Sequence, residues 1–159
     1  MGYIVFAVLA IFGDQVVKWY VMNNLDLREV VAFIPGLVQL TYFQNTGVAF
    51  GFLQGQPWIP MVLTPVLLIV LVVLMVKGVV SDPAQRWALT AIAAGGAGNL
   101  IDRFVHGFVV DMFEFMFVRF AIFNVADIFI TLGGVAFVLA YLRAELRLQR
   151  ERTAESSNE

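Results

Sequence analysis

FAIFNVADIFITLGGVAFVLAYL, residues Phe120–Leu142, decides the reading of this chain. A bilayer core about 30 Å thick is crossed by a helix of about 20 mostly apolar residues. The stretch meets that length and carries one ionisable side chain, Asp127. It therefore predicts a transmembrane helix with a carboxylate inside it. An ionisable group within a span is costly, so it marks function unless a partner explains it.

Three further stretches read the same way. Residues 3–22 form an apolar run holding Asp14 and Lys18. Residues 58–80 hold only Lys77, near the end. Residues 87–103 are short and rich in small residues, closing on Asp102 and Arg103. The expected fold is a mainly α membrane protein: a four-helix bundle with a small extracytoplasmic sheet and an interfacial helix, in one domain spanning residues 1–159. Composition agrees. Of 159 residues, 60% are hydrophobic and 14% charged, against about 45–50% and about 25% in soluble domains. A soluble globule this small leaves too much surface in water to hide that excess.

Composition also excludes chemistries. A net charge of −2 argues against a nucleic-acid partner. The absence of Cys removes disulfides, thiol catalysis and thiolate metal sites, and a lone His106 makes a zinc or haem centre a poor expectation. No metal and no cofactor are expected.

Charge sets orientation. Four spans place both termini on one side, with the 78–86 connection. That side carries Lys77, Arg86, Arg143, Arg147, Arg150 and Arg152, while the other has Arg28, Arg103 and Arg119. The excess predicts cytoplasmic termini, with a solvated tail after Leu142 that frays from Thr153 onward. The first span lacks a basic leader segment and a small-residue cleavage site, so it is not expected to be removed.

Outside, residues 23–57 are too long for a plain turn. Arg28–Phe33 and Leu37–Phe43 read as strands about Pro35-Gly36. Asn45–Leu53, with Gly47, Gly51 and Gly55 on one helical face, reads as an interfacial segment on the bilayer.

With that orientation Asp14 lies roughly 12 Å, and Asp127 roughly 10 Å, below the outer ends of their helices at 1.5 Å per residue. Asn99, Asp102 and Asn124 fall near the same level. The inner halves are almost purely apolar, which describes a site open to the outside and not a path across the membrane. Asp14 and Lys18, spaced i,i+4, are expected to form a structural ion pair. Ala91/Gly95 and Ala94/Gly98 are expected to let helices pack closely.

Asp111, in the apolar run Val109–Phe113, is the natural partner of Asp127 if Phe113–Arg119 turns the chain back. Two carboxylates in contact share a proton. One then activates water and the other protonates a leaving amine, the logic of an aspartic protease. An Asp in a span also serves as a proton relay or an ion-pair residue, so composition leaves those roles open.

The ordered motifs resemble lipoprotein signal peptidase, the signal peptidase II family of the bacterial cytoplasmic membrane. Asp14-Gln-Val-Val-Lys18, Asn45-Thr-Gly47-Val-Ala49-Phe50, Gly98-Asn99-Leu-Ile-Asp102-Arg103, Val110-Asp111 and Phe123-Asn124-Val-Ala126-Asp127 appear in the family's order, across about residues 10–142. The resemblance implies cleavage of prolipoproteins just before a diacylglyceryl-modified Cys, with Asp111 and Asp127 catalytic. It implies substrate-binding or orienting roles for Asn45, Gly47, Asn99, Asp102, Arg103, Asn124 and Ala126. The outer sheet would cradle the mature lipoprotein side, with the Thr46–Leu53 segment as a lid. The implied partners are the prolipoprotein, membrane lipid and globomycin-type inhibitors, with no need of a second subunit. Ile128 and Met112 depart from the family's usual Ser and Phe. A proton-coupled transporter or channel using Asp14, Lys18 and Asp127 is the main alternative; it would need polar groups along the whole path. A non-catalytic assembly factor would be expected to have lost an aspartate or an amide, and none is lost.

Overall fold

The computed structural model describes residues 1–47, 56 and 58–156, without the side chains of 154–156. Of the interfacial segment expected over Asn45–Leu53 and the lid expected over Thr46–Leu53, residues 48–53 lie outside the described residues. The elements are α1 (Gly2–Asn24), β1 (Val30–Ile34), β2 (Val38–Asn45), α2 (Trp58–Val76), α3 (Pro83–His106), β3 (Val109–Phe115) and α4 (Val125–Ser156).

Among the described residues three helices, α1, α2 and α4, are long and apolar enough to cross a membrane. Helix α3 has the length but not that apolarity, so the expected count of four spans is met only in part by length and composition. The reason is position. Helix α3 packs against α1, α2 and α4 at once, so its surface is built for helix neighbours. Gly95 and Gly98 mark that packing. A Cβ at Gly95 would collide with the Ala126 carbonyl of α4, and one at Gly98 would lie 2.6 Å from an Asp14 oxygen of α1. The outer faces of α1, α2 and α4 expose large apolar side chains such as Phe12, Trp19, Leu63, Ile69, Leu132 and Leu139, the pattern of helices solvated by lipid.

Element boundaries differ from the sequence expectation for local reasons. Helix α2 stops at Val76, because Gly78 adopts φ +71 in the turn that follows. Helix α3 starts at Pro83, before the expected Trp87. Asp82 caps it through the Gln85 N–H at 3.0 Å, and Pro occupies the first turn, where its missing N–H costs nothing. It runs on to His106 and ends where Gly107 turns left-handed, φ 79, with its N–H on the Arg103 carbonyl. Helix α4 starts at Val125, after the expected Phe120. It continues unbroken to Ser156, past Thr153 where fraying was expected to begin.

The sheet is antiparallel in the order β1-β2-β3. Strands β1 and β2 close on the Ile34–Leu37 turn, with Pro35 and left-handed Gly36 at its centre. The third strand was not expected. It comes from the 102–119 connection and pairs Phe43 with Asp111 and Asn45 with Val109. Alternation along β3 sorts its side chains. Val110 and Met112 are fully buried against Val21 of α1, while Val109, Asp111 and Phe115 face a cavity. After β3 the chain reverses, and Phe113 and Phe123 exchange backbone hydrogen bonds at 2.8 and 3.0 Å. That reversal delivers the start of α4 beside Asp111.

Candidate active site

Asp111 and Asp127 line one cavity of about 620 Å³. Asn45, Asn99 and Arg103 complete its polar wall. Apart from Thr64 and Thr131 the rest is apolar, from Leu67, Leu68 and Leu71 of α2 to Phe120, Phe123 and Ile130.

Each carboxylate is held by two donors. Asp111 Oδ2 accepts from Asn45 Nδ2 at 2.8 Å, and its Oδ1 accepts from Asn124 Nδ2 at 2.6 Å. Asp127 Oδ1 accepts from Asn99 Nδ2 at 2.8 Å, and its Oδ2 accepts from the Asn124 backbone N–H at 3.2 Å. Asn124 Oδ1 in turn accepts from the Asp127 N–H at 2.9 Å. This reciprocal pair is a capping box at the start of α4. Asp127 thus sits in the first turn of a helix, where the N-terminal partial charge favours a carboxylate. Asn124 serves both acids and is fully buried.

Asp111 is 1% exposed, and burial pushes its carboxyl up to about 7. The charge of Asp127 adds to that rise, whereas the Asn45 and Asn124 donors and the Lys18 cation oppose it.

Behind this wall lies a second polar layer that does not line the cavity. Lys18 Nζ contacts Asp14 Oδ2 at 2.9 Å, Asp102 Oδ2 at 2.9 Å and Asn99 Oδ1 at 2.8 Å. The expected Asp14–Lys18 ion pair is therefore present, but Lys18 is shared among three acceptors on two helices. Asp14 Oδ1 accepts the Ala126 N–H at 2.8 Å, which caps α4 from α1. That contact is what Ala126 contributes. Asp102 Oδ2 accepts the Val110 N–H at 3.0 Å and so anchors the strand that carries Asp111. Arg103 donates to the Asn99 and Gly47 carbonyls, both at 3.1 Å. The Gly47 N–H donates to Asn45 Oδ1 at 2.9 Å. Among the described residues, no buried polar side-chain atom of this cluster lacks a partner.

Sequence reasoning missed Gln15. Its amide nitrogen lies 2.9 Å from Asp102 Oδ1, 3.2 Å from the Gly98 carbonyl and 3.3 Å from Asp14 Oδ2. The available signal was a polar residue next to Asp14 inside an apolar run. The two departures separate cleanly: Ile128 lines the cavity, whereas Met112 is buried in the core on the opposite face of β3. Among the described residues there is no cluster of His, Cys, Asp or Glu suited to a metal ion.

Two hydrogen-bonded carboxylates at one cavity, on a scaffold of membrane-length helices, describe a multi-pass membrane protein. Residues 6–143 match the family described as signal peptidase (SPase) II, and the chain belongs to that family. It is 44% identical over 140 residues to the lipoprotein signal peptidase of Streptococcus pneumoniae, covering 87% of this chain and 92% of that protein. The lipoprotein signal peptidase of Lactococcus lactis subsp. lactis is 39% identical over 142 residues, with the same coverage. Two solved structures described as a bacterial membrane enzyme superpose with TM-scores of 0.84 and 0.81, at 30% and 31% identity. Each covers 89% of this chain, and the chain covers 88% and 92% of them respectively.

Proposed function

We propose that this chain is an intramembrane aspartyl endopeptidase that removes signal peptides from prolipoproteins, cutting before a diacylglyceryl-modified Cys. Membership in the signal peptidase II family supports the substrate class. The observation that carries the chemistry is the pair Asp111 and Asp127 on one cavity, each held by two donors. Near neutrality the pair carries one proton. The ionised partner takes a proton from water as it attacks the scissile carbonyl, and the protonated partner delivers its proton to the leaving amine of the Cys. Asn45, Asn99 and Asn124 orient the carboxylates. Arg103, bound to the Gly47 carbonyl, ties the outer segment to the catalytic wall.

In this reading α3 is the fourth span. Its 24 residues extend about 36 Å, and the three more apolar helices supply the lipid-facing surface. The whole chain then works as one domain and one subunit of the cytoplasmic membrane, with both termini cytoplasmic and the site near the outer leaflet. The sheet faces the mature part of the lipoprotein, the apolar cavity wall faces lipid and signal peptide, and globomycin-type inhibitors compete for the same groove. A cleavage assay on a diacylglyceryl-modified prolipoprotein, comparing the parent with Asp127→Asn, tests the reading. Activity is expected to fall by about 10³-fold, within the range that acid–base groups contribute. Full activity in folded Asp127→Asn would sink it.

A further inference from the structure

The three asparagines that serve the two carboxylates share one device. An amide side chain can turn over about its last bond with little change in shape, exchanging its donor and acceptor ends. Turned one way it supports a carboxylate, and turned the other it repels one. At each asparagine a group that can only donate holds the oxygen, which leaves the nitrogen for the carboxylate. For Asn124 that group is the Asp127 backbone N–H at 2.9 Å, and for Asn45 it is the Gly47 N–H at 2.9 Å. For Asn99 it is the Lys18 ammonium at 2.8 Å, beside the Asn124 amide at 3.1 Å.

We propose that Lys18 is a positioning residue of the peptidase: its ammonium fixes the Asn99 amide so that Nδ2 faces Asp127. The proposal rests on the reading of Asp111 and Asp127 as the catalytic pair. Lys18 is buried and does not line the cavity, so it does not act by touching substrate there. Its three donors are met by Asp14, Asp102 and Asn99, so it has no proton directed at the reaction. What it passes on is orientation. Of the three amide locks it is the only one made by a side chain, and hence the only one that substitution can remove directly. The charged groups around it are Asp14 on its own helix, Asp102 and Arg103 on α3, Asp111 on β3 and Asp127 on α4.

The test uses the full-length enzyme in detergent with a diacylglyceryl-modified prolipoprotein peptide, read as kcat, KM and pH profile. In Lys18→Gln the new side chain can also offer an acceptor, which frees the Asn99 amide to turn over. A fall in kcat of about tenfold to a hundredfold is expected, with KM within about twofold. The alkaline limb should move to higher pH, because Asp111 loses a nearby cation. Lys18→Arg, which keeps charge and donors, is expected to recover most of the loss. The double variant Asp14→Asn/Lys18→Met conserves the local net charge. It should lose a further tenfold or more relative to Asp14→Asn alone. Parental kcat and pH profile in a folded Lys18→Gln or double variant overturn the proposal. Failure of both to fold also overturns it and assigns Lys18 to the scaffold. Asp127→Asn, run in parallel, separates the two levels: if it stays active, the aspartyl reading itself fails, whatever Lys18 does.

Discussion

Asp111 and Asp127 have different supports, and those supports make different predictions. Asp127 is built into a helix start, so Asn124→Ala removes its cap, one donor to Asp111 and one contact with Asn99 together. Loss of a cap alone costs about 1 kcal/mol. A larger fall in melting temperature than a surface cap would give, with a loss of cleavage of about a hundredfold or more, is expected from a purified variant. Asp111 titrates from a buried position. Its folded value of about 7 lies above the ordinary 3.8, so the folded protein holds an extra proton between those values. Stability contributed by this group is greatest below about pH 4, falls as pH rises to about 7, and is flat above it. Melting curves recorded across that window should slope downward for the parent and lose that component in Asp111→Asn. In the proposed reading the same titration is expected to set an alkaline limb near pH 7 in the cleavage profile, as Asp111 loses its proton.

At the scale of elements, three helices meet where α3 has no side chains to keep them apart. Gly98→Ala would place a Cβ 2.6 Å from Asp14 Oδ2 and 3.4 Å from the Ala126 Cβ. The contact that caps α4 would have to open. A loss of about 1–3 kcal/mol, typical of overpacking, is expected from thermal melts in detergent. Gly13→Ala, with nothing within 4 Å of its Cβ, should be neutral or slightly stabilising by helix propensity. Much of this level was legible in the sequence. The close-packing role of Gly95 and Gly98 follows from their spacing, and the β1–β2 hairpin follows from Pro35-Gly36. Strand β3 was not legible because both its faces are buried. Val109–Phe115 therefore lacks the apolar–polar alternation that marks a half-exposed strand. The Asn124–Asp127 capping box was written in the spacing but hidden by the apolar residues around it. The second polar layer was visible only as scattered residues. That Lys18 reaches across to α3 depends on which faces pack together, and no local pattern encodes that.

For the whole molecule, the proposed orientation predicts which surfaces water-soluble reagents reach. The chain has no Cys, so single cysteines report without interference. On intact cells a membrane-impermeant maleimide should label Val118→Cys, beyond β3. It should leave Ser81→Cys and Gln149→Cys unlabelled until the membrane is permeabilised. Labelling of Ser81→Cys and Val118→Cys from the same side would remove α3 from the list of spans, whereas labelling of Ser81→Cys but not Val118→Cys from outside would invert the topology.

The hydrogen bond from the Ala126 N–H to Asp14 joins residues 112 positions apart, and it ties α1 to α4. Helix α1 precedes α4 in the chain, so this cap, and in the proposed reading the pairing of Asp127 with Asp111, waits for α4 to dock. On that reading the folding chain has no assembled site until α4 docks on Asp14.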